Sequence, residues 1–312
     1  MTRHAGHVIL RGSRRDCHAT TAAGYGGSRG VRGHPRPRKL WHPRPPESAR
    51  HTGTPRPPES SAVTRKELFA VATLAAGVVL WLIMPAVAQP GGYFAFADAR
   101  PLLGVPNAAD VLSNAAFVVV GVLGLLRLKQ GTRPLHKVVR LSLMFFFAGL
   151  VLTGFGSAYF HWEPNNATLV WDRLPMTIAF AGVFGAMLAE RVSARSGLAL
   201  LLLMLVIGPA SVFYWKSTGD LSLYAVIQYG GLAALLALLS LTPRGHDPFP
   251  WWALIAWYGA AKLAEVGDVF VWNATREVFA GHVLKHLAAA AGGLAIANAL
   301  LRPAGGTRSA MQ

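Results

Sequence analysis

The sequence predicts an all-α protein, a polytopic bundle of helices embedded in a membrane. Of its 312 residues, 53% are hydrophobic and only 14% are charged, whereas charged residues make up about a quarter of a typical soluble domain. The mean hydropathy is +0.37. From Leu68 onward, long apolar runs alternate with short polar breaks, as expected of helices that cross a bilayer. A single cysteine excludes a disulfide scaffold.

Eight apolar segments have about the length of 20 residues that a transmembrane helix requires. They comprise residues 67–88, 110–128, 139–160, 169–190, 197–215, 221–241, 250–271 and 280–301. Alanine, leucine and glycine dominate them, which favours packed helices over the alternating strands of a membrane barrel. The seventh segment contains Lys262, Glu265 and Asp268, so it should face the bundle interior or end earlier. We expect these three residues to form a structural salt-bridge cluster rather than a contact to a substrate head group.

The formal net charge of +16 is unevenly distributed along the chain. Residues 1–66 hold 14 of the 30 basic residues and three of the 14 acidic residues, so they contribute +11. Residues 1–62 are rich in Arg, Pro, His and Gly and lack helical or strand periodicity, which predicts a disordered basic tail. A membrane domain is expected over residues 63–302, followed by a short tail over 303–312. No nucleic-acid partner is expected, although a polybasic arm suits anionic lipid or nucleic acid.

Basic residues in the loops predict how the bundle is oriented. With the amino terminus in the cytoplasm, twelve basic residues of the membrane domain and its flanks lie inside and four lie outside. The four outside are Arg100, Arg173, Lys216 and Arg276. This bias predicts a multi-pass membrane protein with both termini cytoplasmic.

Three histidines fall at the outer ends of the predicted helices. His161 ends the third segment, whereas His282 and His286 begin the eighth. His282 and His286 are spaced i, i+4, so both point to one helical face, and this spacing lets two imidazoles bind one metal ion. Three histidines and a water form a common open zinc site. Such a pair also occurs incidentally, but ionisable groups inside a membrane are costly and are usually functional.

A carboxylate and a hydroxyl are expected in the same layer. Asp172 starts the fourth segment, also outside, and Ser157 precedes His161 by one helical turn. Because Val283 holds the slot where zincins carry their general base, Asp172 is the candidate base. Asp172 also suits a helix cap, and Ser157 also suits a hydrogen bond back to a helical carbonyl.

These residues resemble the alkaline ceramidase family, within the CREST superfamily of membrane hydrolases, and most of all its bacterial branch. The resemblance covers about residues 93–301. It is carried by the motifs FADARPLLGVPNAADVLSN at residues 96–114, GSAYFH at 156–161, WDRLPM at 171–176, GDLSLYAVIQ at 219–228 and GHVLKH at 281–286. The family's fold is a seven-helix bundle, so the resemblance implies that segment 67–88 is an added amino-terminal helix.

The resemblance also implies a chemistry and a role for each residue. His161, His282 and His286 would bind zinc, Asp172 would hold and deprotonate the attacking water, and Ser157 would help to stabilise the oxyanion. The reaction would be hydrolysis of the N-acyl amide of ceramide or a related lipid, which yields a fatty acid and a sphingoid base. No oligomeric state is predicted.

The sequence departs from the eukaryotic members of the family at two places. Arg173 follows Asp172, where those members have an acidic residue. Their calcium site uses several acidic ligands before the first core helix. Here Asp98 and Asp110 occupy that region, and Asn107 stands where glutamate is expected. The resemblance therefore does not establish calcium as a cofactor.

Two functions from other classes remain as alternatives. A non-enzymatic receptor or scaffold would use zinc only to tie the third and eighth helices together. A transporter is disfavoured, because the sequence has no inverted repeat and no matched pair of broken helices.

Overall fold

The computed structural model describes residues 64–131, 133–242 and 248–302. Within these ranges the secondary structure is helical, apart from one isolated antiparallel bridge between Leu102 and Val105. The predicted tails, residues 1–62 and 303–312, lie outside the described residues, so their boundaries stay predictions.

Eleven α-helices and one π-helical segment make up the described fold. They are α1 (Arg65–Ile83), α2 (Ala108–Ser113), α3 (Ala115–Gln130), α4 (Lys137–Trp162), α5 (Thr168–Arg191), α6 (Ala194–Thr218), α7 (Ser222–Ala225), the π segment (Val226–Gly230), α8 (Gly231–Leu241), α9 (Trp251–Val266), α10 (Asp268–Ala274) and α11 (Gly281–Ala299).

Six helical stretches of the described chain are long and apolar enough to cross a membrane. They correspond to the first six predicted segments, and two of them combine shorter elements: α2 with α3, and α7 with the π segment and α8. The protein is therefore an all-α polytopic membrane bundle, as the sequence predicts. Helix α1 has no buried residue, which agrees with an added helix at the periphery of a seven-helix core.

The last two predicted segments differ from the other six in length and polarity. The seventh is interrupted at Gly267, where α9 ends after 16 residues and the short α10 begins. The eighth, α11, includes His282, Lys285 and His286 in its first turns. Neither is among the stretches that qualify by length and apolarity. The physical reason is that their ionisable residues serve the bundle interior rather than the lipid.

The core lies where α4 and α5 pack together, with α6 against α5 and with α3 and α11 alongside. Fully buried side chains at its centre include Leu143, Phe147, Met187 and Leu201. Because α4 and α5 are the two most central helices, the residues at their adjoining ends have fixed positions. Those ends carry His161 and Asp172.

The linker of residues 84–107 is tied to the turn between α6 and α7. The backbone N–H of Val87 donates to Asp220 Oδ1 at 2.8 Å. Asp220 also accepts hydrogen bonds from the N–H and hydroxyl of Ser222 and from the hydroxyl of Tyr214. Burial alone would raise the pKa of Asp220, but these hydrogen bonds outweigh it and hold that pKa below its ordinary value. Asp220 therefore holds this loop in place.

Candidate metal centre and catalytic residues

Three buried histidines meet between the end of α4 and the start of α11. His161, His282 and His286 are only 1%, 7% and 1% exposed. Their ring centroids are 4.7 to 5.1 Å apart, and one nitrogen from each lies within 4.8 Å of the others. We call these residues the histidine cluster. Among the described residues, it is the one group of three or more His, Cys, Asp or Glu side chains close enough to hold a metal ion.

The hydrogen bonds of His286 define which of its nitrogens is free. The hydroxyl of Ser113 donates to the carbonyl oxygen of Asp110 at 2.9 Å, and the same hydroxyl lies 2.7 Å from His286 Nδ1. A hydroxyl has one proton, so when Ser113 gives that proton to Asp110 it accepts from a protonated Nδ1 of His286. Nε2 of His286 then carries the lone pair. That nitrogen is buried and has no hydrogen-bond partner.

The backbone around His282 and His161 is fixed by two residues of other segments. Asp268, at the start of α10, accepts from the N–H of His282 at 2.7 Å and from the N–H of Ala97 at 3.0 Å. Asn107 donates its amide N–H to the carbonyl of His161 at 2.8 Å. The linker and α10 therefore hold both sides of the histidine cluster.

The arrangement of nitrogens fits a metal ion. Nδ1 of His161 and Nε2 of His286 are buried and have no hydrogen-bond partner among the described residues, which is costly for polar atoms unless something binds them. Nε2 of His282 accepts from Lys285 Nζ at 2.7 Å, because a lysine ammonium can only donate, so a metal ion at this nitrogen would have to displace Lys285. Three neutral imidazoles of this kind match the ligand set of an open zinc site.

Ser157 and Asp172 lie beside the histidine cluster and line the same cavity as His286. Ser157 is one turn before His161 on α4, and Asp172 is in the first turns of α5. Both side chains are buried. Helix α5 begins at Thr168, four residues before Asp172, so Asp172 does not cap that helix. Its carboxylate instead faces the bundle interior.

Gly156 allows the close approach of α4 to α5. A Cβ atom at this position would collide with the carbonyl oxygen of Trp171 and would approach Pro175 Cγ to 3.3 Å. Only glycine therefore permits α4 to come this close to α5 at the level of Ser157 and Asp172. Gly281 has the same role beside Asp268, since a Cβ there would lie 2.7 Å from the Asp268 Cα.

A cavity of about 360 Å³ opens beside the histidine cluster. Ser157, Asp172 and His286 line its polar end, together with the side chains of Lys285 and Glu265. From there it follows α5 inward past mostly apolar residues, with Gln228 and Tyr258 as polar members of the lining near Phe180. The apolar lining includes Met176, Phe180, Phe184, Leu150 and Leu235. The 12 residues from Asp172 to Phe184 correspond to about 18 Å at 1.5 Å per residue.

Two of the three residues expected to form a salt-bridge cluster in the seventh segment do so. Glu265 forms ion pairs with Lys262 at 2.7 Å and with Lys285 at 3.2 Å. Asp268 does not share in these ion pairs, because the break at Gly267 turns it toward the N–H groups of Ala97 and His282. The expected partnership of Lys262 and Glu265 is therefore present, and Lys285 replaces Asp268 in it.

The sequence interpretation did not identify Ser113, Lys285 or Asp268 as neighbours of the histidines. Ser113 is 173 residues away from His286 in sequence, so no local pattern indicates their contact. The sequence did contain an indication for Lys285, because this residue lies between the two histidines in GHVLKH. A lysine near the start of an intramembrane helix is costly enough to indicate a role.

The residues at the position of the family's calcium site differ in their partners: both carboxylate oxygens of Asp110 are buried and have no hydrogen-bond partner among the described residues, whereas Asp98 and Asn107 are engaged. Both carboxylate oxygens of Asp98 accept from the guanidinium of Arg100 at 2.8 Å, and these hydrogen bonds lower the pKa of Asp98. The side-chain N–H of Asn107 is engaged with the carbonyl of His161. Asp110 lies in α2, and the three do not form an acidic cluster. An internal ion pair therefore stabilises this loop.

A comparison with known protein families identifies the family of this chain. A family model described as Ceramidase matches residues 105–278, more than half of the chain. The matched region contains Ser157, His161 and Asp172 and ends just before His282. No curated protein and no solved structure gives a significant match. On the extent of the family match, the chain belongs to the ceramidase family.

Proposed function

We propose that this protein is a zinc-dependent integral-membrane hydrolase that cleaves the N-acyl amide bond of ceramide or a related lipid. The observation that carries the proposal is the meeting of three elements in one place. The histidine cluster, the Ser157–Asp172 pair and a long apolar cavity all adjoin the same end of the bundle. Membership of the ceramidase family supports the same reaction class.

The histidine cluster supplies three neutral nitrogen ligands. His161, His282 and His286 would hold the ion, with Ser113 fixing the tautomer of His286. Zinc bound there would supply a Lewis acid that polarises the amide carbonyl and favours ionisation of water. The buried, unpartnered nitrogens of His161 and His286 support this assignment.

Asp172 and Ser157 would handle the proton. Hydrolysis adds the hydroxyl of water to the acyl carbon, breaks the C–N bond and delivers a proton to the amine nitrogen. Asp172 would take the proton from the attacking water and pass it to that nitrogen. The Ser157 hydroxyl lines the same end of the cavity as Asp172. It would donate to the oxyanion.

The cavity accounts for a lipid substrate. Its polar end contains the catalytic residues, and its lining from Asp172 to Phe184 covers about 18 Å of α5, so an acyl chain would lie along the apolar part. A lipid would enter between helices from the bilayer, since the amide and the chain must enter together. With the orientation that the loop charges favour, the site faces the outer side of the membrane and both termini are cytoplasmic.

The proposal is tested by metal content and hydrolysis in the same preparations. Purified wild-type protein should contain about one zinc per chain and should release fatty acid from at least one N-acyl lipid. His282→Ala should lose both the metal and the activity. His136→Ala is the matched control, because His136 caps the opposite end of α4 by accepting from the N–H of Val138. It should keep both properties.

Two results would contradict the proposal. If His282→Ala keeps zinc and activity, the histidine cluster is not the reaction centre. If the wild type holds zinc fully yet cleaves none of the N-acyl lipids, the metal only ties α4 to α11, as in a receptor or scaffold.

A further inference from the structure

We propose that the lipid amide cleaved at this site carries an anionic group, a carboxylate or a phosphate, which Arg173 and Gln89 bind beside the catalytic residues. This inference rests on the proposed function and names the substrate class.

Arg173 is a buried cation with a free donor. It is only 5% exposed, and its Nη2 donates to Gln89 Oε1 at 2.7 Å. Its Nη1 is buried and has no hydrogen-bond partner among the described residues. No carboxylate of that part of the chain is within ion-pair distance of this guanidinium, and Asp172 acts on it only at longer range. A buried charge without a contacting counter-charge is costly, so an anion that accepts from Nη1 would complete the site.

Three aromatic rings hold this guanidinium without neutralising it. The Arg173 Cζ lies 4.1 Å from the ring centroid of Trp215, 5.3 Å from that of Tyr224 and 5.6 Å from that of Tyr93. Ring faces attract a cation and restrict its orientation, but they leave its N–H groups available. The surroundings therefore fix Arg173 in position.

Gln89 contributes a second free donor at the same place. Its Oε1 accepts from Arg173, whereas its Nε2 is buried and has no partner. Gln89 and Arg173 both line the cavity that contains Asp172. Two unpaired N–H donors on touching side chains, one of them charged, match the paired oxygens of a carboxylate or phosphate.

The charge balance of the cavity lining also favours an anion. The charged residues that line it are three basic and two acidic: Arg173, Lys262, Lys285, Asp172 and Glu265. Glu265 is paired with both lysines. The lining therefore carries one positive charge in excess in a medium of low dielectric, where an unpaired charge is felt strongly.

The position of Arg173 places the anionic group close to the bond that breaks. Arg173 follows Asp172 directly in α5, and the apolar part of the cavity extends away from both. The acyl chain would occupy the apolar part, so the anionic group would belong to the amine half of the substrate. Neutral ceramide offers only hydroxyls at this place, which leave the charge of Arg173 uncompensated.

The test compares two pairs of amides that differ only in the anionic group. One pair is N-dodecanoylglycine and its neutral glycinamide; the other is phosphorylated ceramide and ceramide. In the wild type, kcat/KM should be about ten- to a hundredfold higher for the anionic member, the range of a hydrogen bond to a charged group. Arg173→Gln should reduce this ratio to near unity. Gln89→Glu, which gives Arg173 a carboxylate partner within the protein, should also reduce the ratio to near unity. The result therefore does not depend on the folding of a single variant.

Lys216→Gln is the matched control for charge. Lys216 lies in the last turn of α6, directly after Trp215, and its side chain is exposed and does not line the cavity. Removing its charge should therefore leave the anion preference unchanged. If the wild type cleaves the neutral member as fast as the anionic one, or if Arg173→Gln keeps the preference, the anion site is refuted while the amidase function stands.

A binding measurement separates this inference from the proposed function. If no amide is cleaved, the proposed function fails, and binding of dodecyl phosphate in neutral detergent still tests the site. Binding that is lost in Arg173→Gln but kept in Lys216→Gln supports the anion site, whereas equal binding in all three proteins overturns it. Inorganic phosphate should compete weakly. Competition as strong as that of dodecyl phosphate would indicate a free anion and overturn the lipid assignment.

Discussion

Removing the hydroxyl of Ser113 should weaken metal binding without removing a metal ligand. Ser113 accepts from Nδ1–H of His286 at 2.7 Å and thereby leaves Nε2 as the ligand nitrogen. In Ser113→Ala the buried Nδ1–H loses this partner, and the tautomer protonated at Nε2, in which Nε2 has no lone pair for the metal, becomes accessible. The variant therefore tests whether His286 is held ready for a metal.

The size of the effect follows from the lost hydrogen bond. Its net value of about 0.5–1.5 kcal/mol corresponds to about a two- to thirteenfold loss of affinity. Partners behind a metal ligand commonly contribute about 10–100-fold. We expect Ser113→Ala to bind zinc about tenfold more weakly than the wild type.

The assay is the transfer of zinc from the purified protein to a competing chelator at fixed pH. Ser142→Ala is the matched control, because the Ser142 hydroxyl is fully buried in α4 and has no hydrogen-bond partner. It should hold zinc as tightly as the wild type. If Ser113→Ala also holds zinc as tightly as the wild type, or if both variants weaken equally, the proposed role of Ser113 is wrong.

Three further predictions concern acidic residues. Asp172→Asn should keep zinc but lower kcat by about 10²–10⁴-fold, the usual contribution of a general base; an unchanged kcat in a fatty-acid release assay would exclude this role. Asp268→Ala leaves the N–H groups of His282 and Ala97 without their acceptor and should lower the free energy of unfolding by about 3 kcal/mol, measured in detergent. Asp268→Asn, which keeps one acceptor oxygen, should lose less. Because the folded pKa of Asp220 is lowered, its stabilisation is present above pH about 4 and is lost as the pH falls through that lowered pKa. The difference in melting temperature between wild type and Asp220→Asn should therefore narrow from pH 7 to pH 3, and a constant difference would contradict this linkage.

The hydropathy and spacing of the chain predict the bundle because membrane helices depend on local composition. Each of the first six segments carries its own apolar length, so no distant contact is needed to recognise it. The charged residues of the seventh segment predicted that it should face the interior or end earlier, but not the position of the break at Gly267, which depends on Asp268 turning toward the N–H groups of His282 and Ala97. Hydropathy does not report such a long-range bond.

The candidate site was predictable in part for the same reason. The i, i+4 pair of His282 and His286 is a local pattern, and the loop charges place His161 at the same membrane face. Arg173 was visible only as a departure from the eukaryotic family pattern. Its unpaired Nη1 depends on Gln89, which precedes it by 84 residues, so only the folded structure shows that donor to be free.

The most direct test of the central claim is the hydrolysis of an N-acyl lipid by one preparation before and after its metal is removed. A strong chelator should abolish fatty-acid release, and one equivalent of zinc per chain should restore it. Unchanged fatty-acid release from protein shown to be free of metal would contradict the claim that the histidine cluster acts through a bound zinc ion.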